Sequence, residues 1–177
     1  MACDRMKQTG NNLQEHAPVK TLLVVYSYHH MNTAKVATVL ARVLDAQVKM
    51  PGQTDPGELA NYDFIGFGSG IDSGRHYSEL LDFADKLSPV AGKKAFIFST
   101  SAIMGADKVS KDHAALREKL QAKGYVIVDE FACKGFNTNS FLKYIGGMNR
   151  GRPNAEDLRR AEEFALNLRQ KAGLTGR

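Results

Sequence analysis

Three hydroxyls, two imidazoles and a carboxamide crowd into one short stretch of this chain: Ser27, Tyr28, His29, His30, Met31, Asn32 and Thr33. The stretch follows an apolar run, Leu22 to Tyr26. It precedes a helical pattern in which Val36, Val39, Leu40 and Val43 fall at i, i+3, i+4 and i+7. A buried strand, a polar turn and a helix N-terminus together make an anion site. The first N–H groups of a helix have no internal partner, and the helix dipole adds positive potential there. Ser27, Asn32 and Thr33 add side-chain donors. Lys35 lies just beyond the turn, so an anion is held mainly by neutral hydrogen bonds. The adjacent His29 and His30 read as neutral donors rather than metal ligands, because no further Cys or His stands at ligand spacing.

Two more polar stretches end apolar runs. Residues 64–68 read as a strand that ends in Gly68, Ser69, Gly70, Ile71, Asp72, Ser73 and Gly74, a flexible loop. Residues 94–98 read as a strand that ends in Ser99, Thr100 and Ser101, with Ala102 next. The serines and threonine look like a nucleophile cluster only in isolation, and they read as hydrogen-bond donors to a ligand. His113 falls on the inward stripe of its helix and reads as a packed or capping histidine. Cys133 reads as a small buried hydrophobe and Cys3 as inert. With only two cysteines, neither a disulfide framework nor a cysteine metal site is expected.

The elements that position these stretches alternate along the chain. Strands are expected at 21–26, 46–50, 64–68, 94–98 and 125–133. Helices are expected at 33–44, around Tyr77, Leu80, Leu81, Ala84 and Leu87, and around Val109, His113, Leu116 and Leu120. Gly124 suits the stop of that third helix. A last helix carries Leu158, Ala161, Ala165 and Leu168 on one stripe, with Asn154 as N-cap and Asp157 three residues on. Such alternation predicts a parallel sheet with helices on both faces, and near-continuous apolar strands fit burial on both sides. In such sheets ligands bind at the carboxyl ends of strands, where strand order reverses. The three polar stretches all leave carboxyl ends, and the long segment 134–153 opens on the same edge.

At 177 residues the chain suits one domain, 19–177, behind a patternless extension, 1–18. No apolar run reaches the ~20 residues of a membrane span, and the N-terminus has no apolar core of a secretory signal, so a cytoplasmic protein is expected. The net charge of +5 is uneven. Residues 1–133 hold 15 basic and 15 acidic side chains, and residues 134–177 hold 9 against 4. The excess is interleaved with acids on a helix and carries no nucleic-acid motif, so nucleic acid is not expected as a partner. Lys134, Lys143, Arg150 and Arg152 read either as a solvated loop or as a surface for an acidic partner or anionic second substrate.

The residues 26–33, 68–71 and 98–101, and about 20–172 as a whole, resemble the flavodoxin family. The resemblance implies a flavodoxin-like three-layer α/β sandwich with a five-stranded parallel sheet in order 2-1-3-4-5, and FMN at the switch between strands 1 and 3. The phosphate would sit in the loop of Ser27, Tyr28, His29, His30, Met31, Asn32 and Thr33. The ring would sit between Ser69, Gly70, Ile71, Asp72 and Ser73 on one side and Ser99, Thr100, Ser101 and Ala102 on the other. His76 or Tyr77 would lie against it. Asp72 beside the ring would disfavour an anionic reduced flavin. Ser27, Asn32 and Thr33 match the family loop by type. His29, His30 and Met31 match only by position and make the loop one residue longer. Many flavodoxins are acidic, whereas this chain is basic. The implied function is electron transfer between redox partner proteins, a reductase and an acceptor. Two other readings stay open: an FMN-dependent NAD(P)H oxidoreductase acting on a quinone or similar small acceptor, and a flavin-free binding module.

Overall fold

The structure, a computed structural model, describes residues 19–138 and 140–173. The extension expected over residues 1–18, with Cys3, lies outside the described residues.

A parallel sheet forms the centre. Its strands are β1 (Thr21–Tyr26), β2 (Ala46–Lys49), β3 (Phe64–Asp72), β5 (Lys94–Ser101) and β6 (Val126–Lys134), in the order β2-β1-β3-β5-β6. A two-residue strand, β4 (Arg75–His76), pairs antiparallel with the end of β3. Without that hairpin strand the order is the 2-1-3-4-5 that the family resemblance implies. Alternating side chains send β1, β3 and β5 into two cores. Leu22, Val24, Ile65, Phe67, Ala95 and Ile97 pack under α2 (Ser78–Asp85) and α3 (Ala106–Ala122). Leu23, Val25, Phe64, Phe96 and Phe98 pack under α1 (Asn32–Leu44) and α4 (Ala155–Lys171). Among the described residues no helix is long and apolar enough to cross a membrane.

Local signals stop the helices where the sequence places them. Gly124 follows α3 with φ 87°. At α4, Asn154 Oδ1 accepts from Asp157 N at 3.1 Å while Asp157 Oδ2 accepts from Asn154 N at 3.0 Å. This reciprocal box satisfies two N–H groups that the helix itself leaves open.

Two elements run further than their apolar cores. β3 continues through Gly68–Asp72 instead of ending in a flexible loop, and turns back through Ser73 (φ 51°) and Gly74 (φ 79°). Two left-handed residues give a tight hairpin turn whose twist matches its strands. β5 continues through Ser99, Thr100 and Ser101, in register with β3 at Ser69↔Ser99 and Gly70↔Thr100. Ser69, Ser99 and Thr100 in these extensions each find a side-chain partner on another element. Gly66 and Gly68 leave room for rings: a Cβ there would lie 2.4 Å from Phe96 Cζ and 2.2 Å from Phe98 Cζ.

Candidate functional site

The carboxyl ends of β1, β3 and β5 frame a cleft of about 390 Å³, counting its open mouth. Ser27, Tyr28, His29, Asn32 and Thr33 line it from β1 and α1, and Gly70 and Ile71 from β3. Tyr77 lines it ahead of α2, and Thr100, Ser101 and Ala102 line it from β5. Gly135, Phe136 and Asn137 close the remaining side.

The first loop is built by backbone strain and one cap. His30 and Met31 are both left-handed, with φ 51° and 53°. Met31 takes the N-cap position of α1 without a side-chain cap. Ser27 Oγ supplies the capping acceptor from across the loop, taking Ala34 N–H at 3.1 Å. Thr33 and Thr100 share a buried hydroxyl–hydroxyl bond of 2.8 Å that ties α1 to the end of β5. Asn32 Nδ2 donates to Phe136 O at 2.7 Å, whereas its buried Oδ1 has no protein donor. A cleft-bound hydroxyl would satisfy it.

The segment after β6 is stitched to the cleft. Gly135 N donates to Ser101 O at 2.9 Å, and Asn137 pairs with Met148. Asn149 Nδ2 donates to Ala102 O at 2.7 Å and also reaches Gly135 O. A Cβ on Gly135 would lie 3.0 Å from Asn32 Nδ2, so a glycine lets the segment approach. His30 packs against Phe136 with tilted rings, centroids 4.4 Å apart, and its Nε2 meets Thr138 Oγ1 at 2.8 Å. His29 Nε2 meets the same oxygen at 3.3 Å. Burial first, then repulsion by His29 and Lys35, lowers the His30 pKa below the ordinary 6.5. His30 is therefore a neutral imidazole at pH 7.

Several expected ligand contacts are placed elsewhere. His30 and Met31 lie outside the lining because the left-handed turn directs them outward, His30 onto Phe136 and Met31 to an exposed position. Asp72 and Ser73 are exposed at the hairpin tip. Ser69 and Ser99 point under the cleft toward α3, because strand alternation puts them on the face opposite Gly70 and Thr100. Ser69 Oγ meets His76 Nδ1 at 2.8 Å, and Ser99 Oγ meets His113 Nε2 at 2.7 Å. Of the two aromatic candidates against the cleft, Tyr77 lines it and His76 is buried below. Burial, then Asp72, raises the Tyr77 pKa and keeps it a neutral phenol. Gly135, Phe136 and Asn137 were not legible as lining residues. Only the length of the segment and its place on the right edge pointed to them.

The remaining candidates are structural. Cys133 is buried, and burial pushes its thiol up to about 12, so it stays protonated. Arg152 is committed to the buried Asp157 at 2.8 Å, while Lys134 and Arg150 are exposed.

A family model, the flavodoxin domain, matches residues 23–165. The chain belongs to the flavodoxin family. An uncharacterized protein of Methanocaldococcus jannaschii is 42% identical over 150 residues, which cover 85% of this chain and 98% of that protein. Among solved structures, oxidised flavodoxin 2 from Bacillus cereus superposes with a TM-score of 0.67 at 21% identity, covering 86% of this flavodoxin and 99% of that chain. A flavodoxin, WrbA-like protein from Agrobacterium tumefaciens gives 0.63 at 20% identity, covering 89% and 99%. At those identities the structures share the fold. Members of the flavodoxin family generally bind FMN and serve as electron carriers.

Proposed function

We propose that this flavodoxin binds FMN in the cleft and carries electrons between redox partner proteins in the cytoplasm. The observation that carries the reading is the convergence of three carboxyl-end segments on the N-terminus of α1, where the buried Asn32 Oδ1 lacks a donor. The residues present suit FMN. The first turn of α1, with Ser27 and Thr33, would hold the phosphate. Asn32 Oδ1 would accept from a ribityl hydroxyl. Gly70, with no side chain, and the aromatic walls Tyr77 and Phe136 would take the ring. Bound flavin supplies the electron-transfer chemistry. The protein orients it, excludes water from one side and sets its electrostatics, and no side chain need act as acid or base.

The family loop's usual centre is replaced here by His29, His30 and Met31. His30, and His29 through Thr138, contact the 135–149 segment, while Met31 is exposed and only His29 also lines the cleft, which supports a phosphate held by Ser27, Thr33 and the first turn of α1. The oxidoreductase reading is supported by that segment, which forms one wall of the cleft. One of its expected cations, Arg152, is taken by Asp157, which favours the carrier.

The test is a visible spectrum of the protein after FMN is added and the excess removed by desalting. Retained flavin bands, with no reduction by NADPH until a separate reductase is supplied, are the expected result. Direct reduction by NADPH would transfer support to the oxidoreductase. A colourless protein would leave only the flavin-free module.

A further inference from the structure

Beneath the cleft lies a polar cluster that the proposed function does not use. His76 from β4 and His113 from α3 are 1% and 0% exposed, and their ring centroids are 5.0 Å apart. Each is hydrogen-bonded to a serine, and the two serines, Ser69 and Ser99, are register partners on β3 and β5. The next residues, Gly70 and Thr100, line the cleft. Ser69 is also bonded to the cleft wall itself. Its hydroxyl donates to Gly70 O at 2.8 Å and its oxygen accepts Tyr77 N–H at 3.3 Å.

The hydrogen bonds define where each imidazole carries its proton. With the Ser69 hydroxyl donating to Gly70 O, the tautomer that completes the network has His76 Nδ1–H donating to Ser69. His76 Nε2 is then a bare, buried nitrogen, and it has no partner. His113 Nδ1 faces Glu130 Oε2 at 2.8 Å, and a carboxylate only accepts, so His113 also carries its proton on Nδ1. Its Nε2 lies 2.7 Å from Ser99 Oγ, and the two rings lie side by side, both buried. The charged groups facing the pair are Glu130 of β6, gripped by Arg117 through two bonds of 2.5 and 2.9 Å, and, along α3, Asp112, neutralised by Lys108. Burial, then His113, holds the His76 pKa well below 6.5. Glu130 is a ready counter-charge for one imidazolium, and contact between the rings disfavours a second.

We propose that the His76–His113 pair is a redox-linked proton store for the cleft. When a reductant delivers two electrons, the flavin takes both electrons and one proton and is left with one negative charge. That charge, in a low-dielectric setting, favours a cation next to it, and the pair takes one proton from solvent to become a single imidazolium. The total is two electrons and two protons, all reversed on reoxidation. The inference rests on FMN binding in the cleft.

The experiment uses the full chain saturated with FMN, with retention of flavin confirmed by its spectrum before reduction. Proton uptake is counted with a pH indicator during dithionite titration near pH 7.5, against free dithionite controls. Imidazole ¹⁵N signals are recorded in both redox states. The expected result is two protons per two electrons in the natural sequence, with one imidazole of the pair turning to imidazolium, and one proton in the double variant His76→Gln/His113→Gln. Imidazole signals unmoved by reduction overturn the inference without any variant. So does a double variant that still takes up two protons. A protein that retains no flavin overturns the proposed function, and this inference with it. A flavin-loaded protein that takes up one proton overturns this inference alone.

Discussion

Glu130→Gln tests the buried network beneath the cleft most directly. Burial alone would raise the pKa of this carboxyl. Hydrogen bonds from Arg117 and His113, with their charges, more than reverse that and hold it at about 2 against an ordinary 4.5. A carboxyl held that far down favours the folded state by about 3 kcal/mol, at about 1.4 kcal/mol per pH unit. The sign follows from proton binding. Below pH 4.5 the unfolded chain binds the proton more readily, so the contribution is whole above that value. It is lost as the pH falls from about 4.5 toward 2. For a chain of this size, 3 kcal/mol corresponds to roughly 6–12 °C in Tm. The glutamine keeps the shape and one acceptor but not the charge. Thermal melts of both proteins from pH 7 to pH 3, followed by circular dichroism, should show the variant lower by about that amount at pH 7. The two curves should converge as the pH drops below 4.5. A pH-independent gap would refute the charge argument and leave only a packing effect. No gap at pH 7 would mean that solvent reaches the pair and screens it.

Gly68→Ala puts a Cβ 2.2 Å from Phe98 Cζ inside the sheet–α1–α4 core, so it should cost about 1–3 kcal/mol in urea denaturation, and a second change, Phe98→Leu, should restore part of the loss. Asn154→Ala removes the cap of α4 and should cost about 1 kcal/mol in the same assay, with no effect on FMN retention. Thr33→Val leaves the Thr100 hydroxyl buried without its 2.8 Å partner. It should cost about 1–3 kcal/mol of stability and weaken FMN binding by isothermal titration, whereas unchanged FMN affinity would separate Thr33 from the phosphate site.

The alternation of strands and helices was readable because it rests on local periodicity, whereas the strand order came from the family resemblance. β1 spans the expected 21–26, and α4 starts at the Asn154–Asp157 box, because capping chemistry lies within one helical turn. The place of the cleft was readable too, since ligands collect where parallel strand order reverses. Tertiary structure decided what each polar residue does there. Ser69 and Ser99 carry the same sequence signal as Thr100. Strand alternation sends the first pair under the sheet to His76 and His113, which arrive from 7 and 14 residues away. Gly135, Phe136 and Asn137 are held at the cleft by bonds that include those to Ser101 and to Asn32, more than 100 residues off in the case of Asn32. Residue types and local spacing determine which elements form. Which side chain faces ligand and which faces a buried partner depends on contacts between elements far apart in the chain, and local periodicity carries no trace of those.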